Sequence, residues 1–225
     1  MIPQRWLTPF NFLVIASIAM PVGFAAWTSL LNNFAIERVA FTGVEIGILQ
    51  SLREVPGFLA FTVVFVLLVI REQRFAVISV AIFGLGTALT GFLPTEYGLY
   101  FTAVLMSIGF HYFETIRQSL SLQWLSKEEA PQMLGRLIAI GSMTSLIAFS
   151  CVWLLLEIFA FDYVWIYLLA GGTSILLAVA MAGFPYFESQ IPQRKTLVLR
   201  QRYWLYYGLT FLSGARRQIF MVFAG

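Results

Sequence analysis

An all-α membrane protein with seven spanning helices is what this 225-residue sequence predicts, on three observations. Hydrophobic residues make up 60% of the chain and charged ones 11%, against about 25% charged in soluble domains, so lipid rather than water is the main solvent. Phe, Leu, Ile, Ala and Val occupy all faces of the apolar segments, which leaves no water-facing stripe. Apolar runs of about 20 residues, enough helix to cross roughly 30 Å of hydrocarbon, recur between short polar breaks.

The spans are read, in chain order, at 11–31, 44–70, 75–93, 97–124, 133–156, 163–184 and 203–224. Arg5 gives the first a basic start. Its apolar run continues past the length of a signal-peptide core, and "GFAAWTS" has no A-x-A cleavage site, so this span is retained. The Met20-Pro21 step predicts a kink of the kind membrane helices tolerate. Thr42 is the expected N-cap of the second span. Pro56 and Gly57 weaken that helix, as expected where it bends around a cavity. "REQR" and "LPTEYG" bracket the third, and Ser126 caps the acidic turn "SKEE" that precedes the fifth. "EIFAFD" separates the fifth from the sixth, and the long basic segment "YFESQIPQRKTLVLRQR" precedes the seventh.

Lys and Arg fall unevenly on the two sides. With the amino terminus inside, the cytoplasmic side holds Arg5, Arg71, Arg74, Lys127, Arg136, Arg194, Lys195, Arg200 and Arg202, and the outer loops hold Arg38. The net charge of +3 therefore reflects topology and anionic lipid, and no nucleic-acid partner is predicted. Cys151 is the single cysteine, and no Cys/His cluster has metal spacing, so neither a metal nor a cofactor is expected.

Arg53, Glu54, His111, Glu114, Arg117, Arg216 and Arg217 fall within the spans, away from the polar breaks. A charge near the bilayer centre costs at least about 2.5 to 3.5 kcal/mol, which makes such positions candidates for contact with solute or protons. In the fourth span Ser107, His111, Glu114, Gln118 and Ser121 recur at steps of four and three, tracing one face. Arg117, one turn from Glu114, is placed to pair with it. Arg53 and Glu54 are neighbours about 100° apart around the helix, so each is expected to seek a partner elsewhere. In the seventh span Tyr206, Thr210, Ser213 and Arg217 form a second polar face with Arg216 beside it. The plain alternatives are a snorkelling Arg117, a structural Arg53/Glu54 clamp and a His111 that only packs.

The layout resembles the major facilitator superfamily of secondary transporters. The short basic turn "IREQR" resembles that family's loop between helices two and three, with Arg71 and Arg74 at its basic positions and Ile70 and Gln73 where the family has an acid and a glycine. "LSKEEAPQMLGR" is similar to the family's acidic turn into helix five, and Arg117 resembles its membrane-embedded arginine on helix four. The Gly-Pro signature of drug/proton antiporters is absent from "GRLIAIGSMTSLIAF". The resemblance implies a six-helix bundle of 3+3 inverted repeats over 1–190, a basic cytoplasmic linker over 191–202, and over 203–225 the first helix of a second bundle whose remainder lies beyond this chain. It also implies that helices one, four and seven line a central cavity, with helix two at its gates and Arg71 and Arg74 in a cytoplasmic gating loop.

On that footing the expected function is alternating-access transport of a small organic solute, in a bacterial inner membrane, with protons as a candidate coupling ion and no enzymatic activity. Four Arg against two Glu leave the embedded groups at +2 with His111 neutral, which favours an anionic or zwitterionic solute. Trp27, Tyr112 and Tyr206 are candidate stacking partners for other solutes. The coupling element is expected at His111, Glu114 and Arg117, with Glu114 within reach of both neighbours. Two other classes stay open: a complete seven-helix receptor, and an intramembrane hydrolase using Ser213 and His111.

Overall fold

The computed structural model describes residues 4–188 and 200–209. Residues up to Gln193 belong to one compact unit and those from Arg194 to another. Six long helices build the first: α1 Pro9–Val39, α2 Gly43–Phe58, α3 Glu72–Thr90, α4 Glu96–Trp124, α5 Ala130–Trp153 and α6 Tyr163–Ala182. No strand occurs among the described residues. Among the described residues of the second unit, a 3-10 turn, Gln201–Tyr203, leads into helical residues 204–209. The rest of the expected seventh span, with Arg216 and Arg217, lies outside the described residues.

Local chemistry explains where the helices begin. Thr8, Thr42, Thr95 and Asp162 each accept a backbone N–H of the first turn that would otherwise lack a partner. At Thr42 the cap is reciprocal, because the Glu45 carboxylate accepts the Thr42 amide at 2.7 Å. Ser126 behaves as its sequence position predicts and accepts the Glu129 amide at 3.3 Å. Ala40 closes α1 in the left-handed conformation, φ 57°, with its amide on Ile36 O. Pro56 does not stop α2 on the spot. The helix tightens into a 3-10 stretch, Leu59–Thr62, before a last α-helical piece, Val63–Leu67.

Five of the helical segments are long and apolar enough to cross a membrane: Pro9–Val39, Gly43–Leu67, Glu72–Thr90, Ala130–Ile158 and Tyr163–Ala182. The chain is thus an all-helical membrane protein. Helix α4 is 29 residues long but carries the polar face, which separates it from the other five.

Helix directions alternate. Phe12 at the start of α1 meets Trp124 at the end of α4 and Phe184 just past α6, whereas Phe34 near the end of α1 meets Tyr163 and Tyr167 at the start of α6. Packing runs in pairs: α1 lies against α5 and α6, α4 against α2 and α3, and α3 against α6. In the α3 interfaces, glycine lets backbones touch. A Cβ on Gly109 would sit 2.3 Å from Phe83 N, one on Gly86 2.4 Å from Met106 N, and one on Gly171 2.4 Å from Gly84 O. With no hydrophobic effect between helices in lipid, this close packing supplies the association energy. By contrast α2, with the 3-10 stretch that follows it, and α5 keep mainly exposed apolar faces, with Val55, Phe58 and Phe61 on the first and Ile138, Leu146 and Phe149 on the second.

Candidate functional site

Arg53 and Glu54 of α2 meet His111 of α4 where those helices pack. Arg53 Nε and Nη2 both donate to Glu54 Oε1, at 2.9 and 2.7 Å. The other carboxylate oxygen of Glu54 faces His111 Nε2 across the helix interface at 3.7 Å. Arg53 therefore finds its acid partner next door, contrary to the expectation that the two neighbours diverge. Its three-methylene stem swings the guanidinium through the 100° that separates adjacent side chains, and a half-buried cation pairs with the nearest carboxylate. The rest of that expectation holds in altered form, since Glu54 reaches α4 through His111, and Arg53 lies over the Trp27 ring of α1 at 5.7 Å.

Three further contacts define this corner. Ser107 donates to the backbone carbonyl of Arg53, so one member of the polar face of α4 ties directly to α2. Thr62 and Tyr112 share a hydrogen bond of 2.7 Å. Gly57 lies against the imidazole, where a Cβ would come within 2.8 Å of Cε1 and 2.9 Å of Nε2 of His111. Its function is to make room for His111, which the reading of Gly57 as a weak point in the helix did not anticipate. A close glycine opposite a lone histidine was the available signal, but pairing it needs the register of α2 on α4.

One turn further along α4, Arg117 grips Glu114 with a two-pronged contact, Nε to Oε1 at 3.0 Å and Nη2 to Oε2 at 2.7 Å. This i,i+3 pair was legible from spacing. His111 stands against Glu54 of α2, so the five embedded charges of the described residues divide into Arg53–Glu54–His111 and Glu114–Arg117. Of the polar face, Ser107 and Ser121 are buried, His111 and Glu114 half-buried and Gln118 exposed. Two Arg against two Glu make this part of the site neutral with a neutral His111; the excess of +2 in the full count comes from Arg216 and Arg217, which lie outside the described residues.

At the ends of α3, α4 and α6, a network not anticipated from sequence appears. Glu72 accepts Ser119 Oγ at 3.0 Å and Gln123 Nε2 at 2.6 Å, joining the start of α3 to the end of α4. Gln73, at the position where the family resemblance has a glycine, is buried. Its amide donates to Pro185 O at 2.8 Å and accepts from Phe187 N at 3.0 Å. Arg71 stands over the Tyr186 ring at 4.4 Å, while Arg74 is exposed. The opposite end is closed by Arg38 on Asp162 at 2.5 Å and by Tyr163 on Glu37 at 2.9 Å.

Among the described residues no three His, Cys, Asp or Glu side chains converge as a metal site requires. Cys151 lies exposed on α5. What fold and site define is a class: an all-helical membrane protein with half-buried ionisable groups between two of its helices. No family model matches the chain, and neither does any curated protein or solved structure.

Proposed function

We propose that the chain is the amino-terminal, solute-binding portion of a secondary transporter of the major facilitator type. The observation that carries this reading is the set of five ionisable side chains, Arg53, Glu54, His111, Glu114 and Arg117, held half-buried within helices α2 and α4. Charge inside a membrane helix is costly, and where it persists it marks solute paths, ion paths or proton relays. The helix pairing also supports it. Exchanging the first three helices for the last three maps the α1/α5 pair onto α4/α2 and the α1/α6 pair onto α4/α3, the pattern 3+3 inverted repeats generate.

A small zwitterionic or anionic organic solute suits the site best. Arg53 and Glu54 offer both signs of charge within one turn, and the buried indole N–H of Trp27, beneath Arg53, has no hydrogen-bond partner among the described residues. Membrane charge of this kind does chemistry by binding and release, so no enzymatic step is proposed. The hydrolase alternative rests on Ser213, outside the described residues. Reconstitution of the full-length protein in proteoliposomes, loaded with unlabelled amino acids and carboxylic acids in turn, tests the reading by counterflow of the labelled solute. Uptake of at least one solute, reduced at least tenfold by Arg53→Gln, is expected; no counterflow across the panel would sink the transporter reading.

The amino terminus is proposed to face the cytoplasm, from the nine-to-one bias of Lys and Arg. In a Cys151→Ser background, a cysteine at Pro94 should react with an impermeant maleimide added to intact cells, and one at Arg74 only after lysis. The reverse pattern would invert the topology.

A further inference from the structure

Helices α2 and α4 share one carboxylate, Glu54, and it is approached from two sides. Arg53 occupies Oε1 with two N–H groups, and the sole histidine of the chain faces Oε2 at 3.7 Å. That separation exceeds the length of a hydrogen bond. Around it the geometry is specific. Gly57 leaves the space that the imidazole fills, and Ser107 anchors the Arg53 carbonyl, so the register of α2 on α4 aims His111 at Glu54.

We propose that Arg53, Glu54 and His111 form a proton-binding site that sets how tightly α2 is held to α4. A proton from water adds to the ring nitrogen that carries no hydrogen in neutral imidazole, so that both ring nitrogens of His111 become donors. The imidazolium then closes on Glu54 Oε2, and the carboxylate is shared between two cations in place of one. Arg53 holds a smaller share of the negative charge and becomes the freer anion-binding group, while the α2–α4 contact gains a charge-assisted bond. Loss of the proton reverses both changes. Imidazole is suited to this because it ordinarily changes charge between pH 5 and 8.

The charged neighbours leave Glu54 as the carboxylate nearest His111 across the interface. On α4, Glu114 is one turn away and engaged by both prongs of Arg117. On α2, Arg53 is the adjacent cation. Helix α1 presents Trp27, and its own charged residues, Glu37 and Arg38, lie at the far end on Tyr163 and Asp162. The Leu59–Thr62 turn contributes Thr62, bonded to Tyr112. A role for this proton in solute coupling rests on the transport reading above, but the site itself is read without any transport, so the two fail separately.

Because His111 is the only histidine, selective ¹⁵N-histidine labelling of the purified full-length protein in nanodiscs gives one imidazole signal to titrate. Glu54→Gln is expected to weaken proton binding at His111 at least tenfold, the size of effect an opposite charge at this range exerts. Gly57→Ala, which pushes the ring off Glu54 while keeping the carboxylate, should act in the same direction and carries the test if Glu54→Gln fails to fold. Proton affinity within twofold of the unmodified protein in the folded variants would overturn the proposal. So would a larger loss from Glu114→Gln, which would place the proton one turn further along α4.

Discussion

Replacing Gly171 by alanine is expected to destroy the folded bundle, whereas the same change at its neighbour Gly172 should leave the protein intact. A Cβ on Gly171 would lie 2.4 Å from both Ala88 N and Gly84 O, backbone atoms of α3 that cannot step aside without moving a whole helix. On Gly172 it would meet nothing within 4 Å. Overpacking of a tight interface typically costs about 1 to 3 kcal/mol and more where backbone must move, a substantial share of the roughly 5 to 15 kcal/mol by which a folded protein is stable. Gly109→Ala, with Phe83 N and Ser79 O within 2.5 Å, belongs with Gly171. Thermal survival of detergent-solubilised protein by fluorescence-detected size exclusion separates the outcomes. Equal survival of Gly171→Ala and Gly172→Ala would mean that α3 and α6 do not approach as closely as described.

Arg117→Lys should reduce solute counterflow more than tenfold with little loss of folded protein. An ammonium keeps the charge but not the planar fork that holds both oxygens of Glu114 at 3.0 and 2.7 Å. If Arg117 only snorkels to the membrane surface, lysine performs that task equally well and counterflow stays near the unmodified level. Glu114→Gln provides the companion measurement, since it keeps one acceptor oxygen for Arg117 and removes the charge. Unchanged transport in both variants would reduce the pair to a structural brace of α4.

Much of this protein follows from composition and local chemistry. Apolar runs at membrane length, interrupted by the caps Thr42 and Ser126, locate helices from sequence, because such caps satisfy backbone groups only two or three positions away. The Glu114–Arg117 pair was equally legible, since residues three apart on a helix always share a face. The fourth span, read at 97–124, agrees with α4 at Glu96–Trp124 despite its polar face, whereas the first, read to 31, continues as helix through the polar "NNFAIERV" to Val39.

Other features were decided by tertiary structure alone. Arg53 and Glu54 point apart by helical geometry, yet the guanidinium turns back because burial makes the nearest carboxylate its best partner. His111 belongs by spacing to Glu114, but α2 packs across α4 with Gly57 opposite the ring, and Glu54 becomes the acid it faces. Gln73 looks like a departure in a basic turn until the chain after α6 returns to bond its amide at Pro185 and Phe187. The sequence by itself determined the helices, their apolar surfaces and the contacts within each one, because those depend on separations of three and four residues. Which charge meets which across helices depends on the register between segments more than 50 residues apart, and only close packing at glycines such as Gly57, Gly109 and Gly171 sets that register.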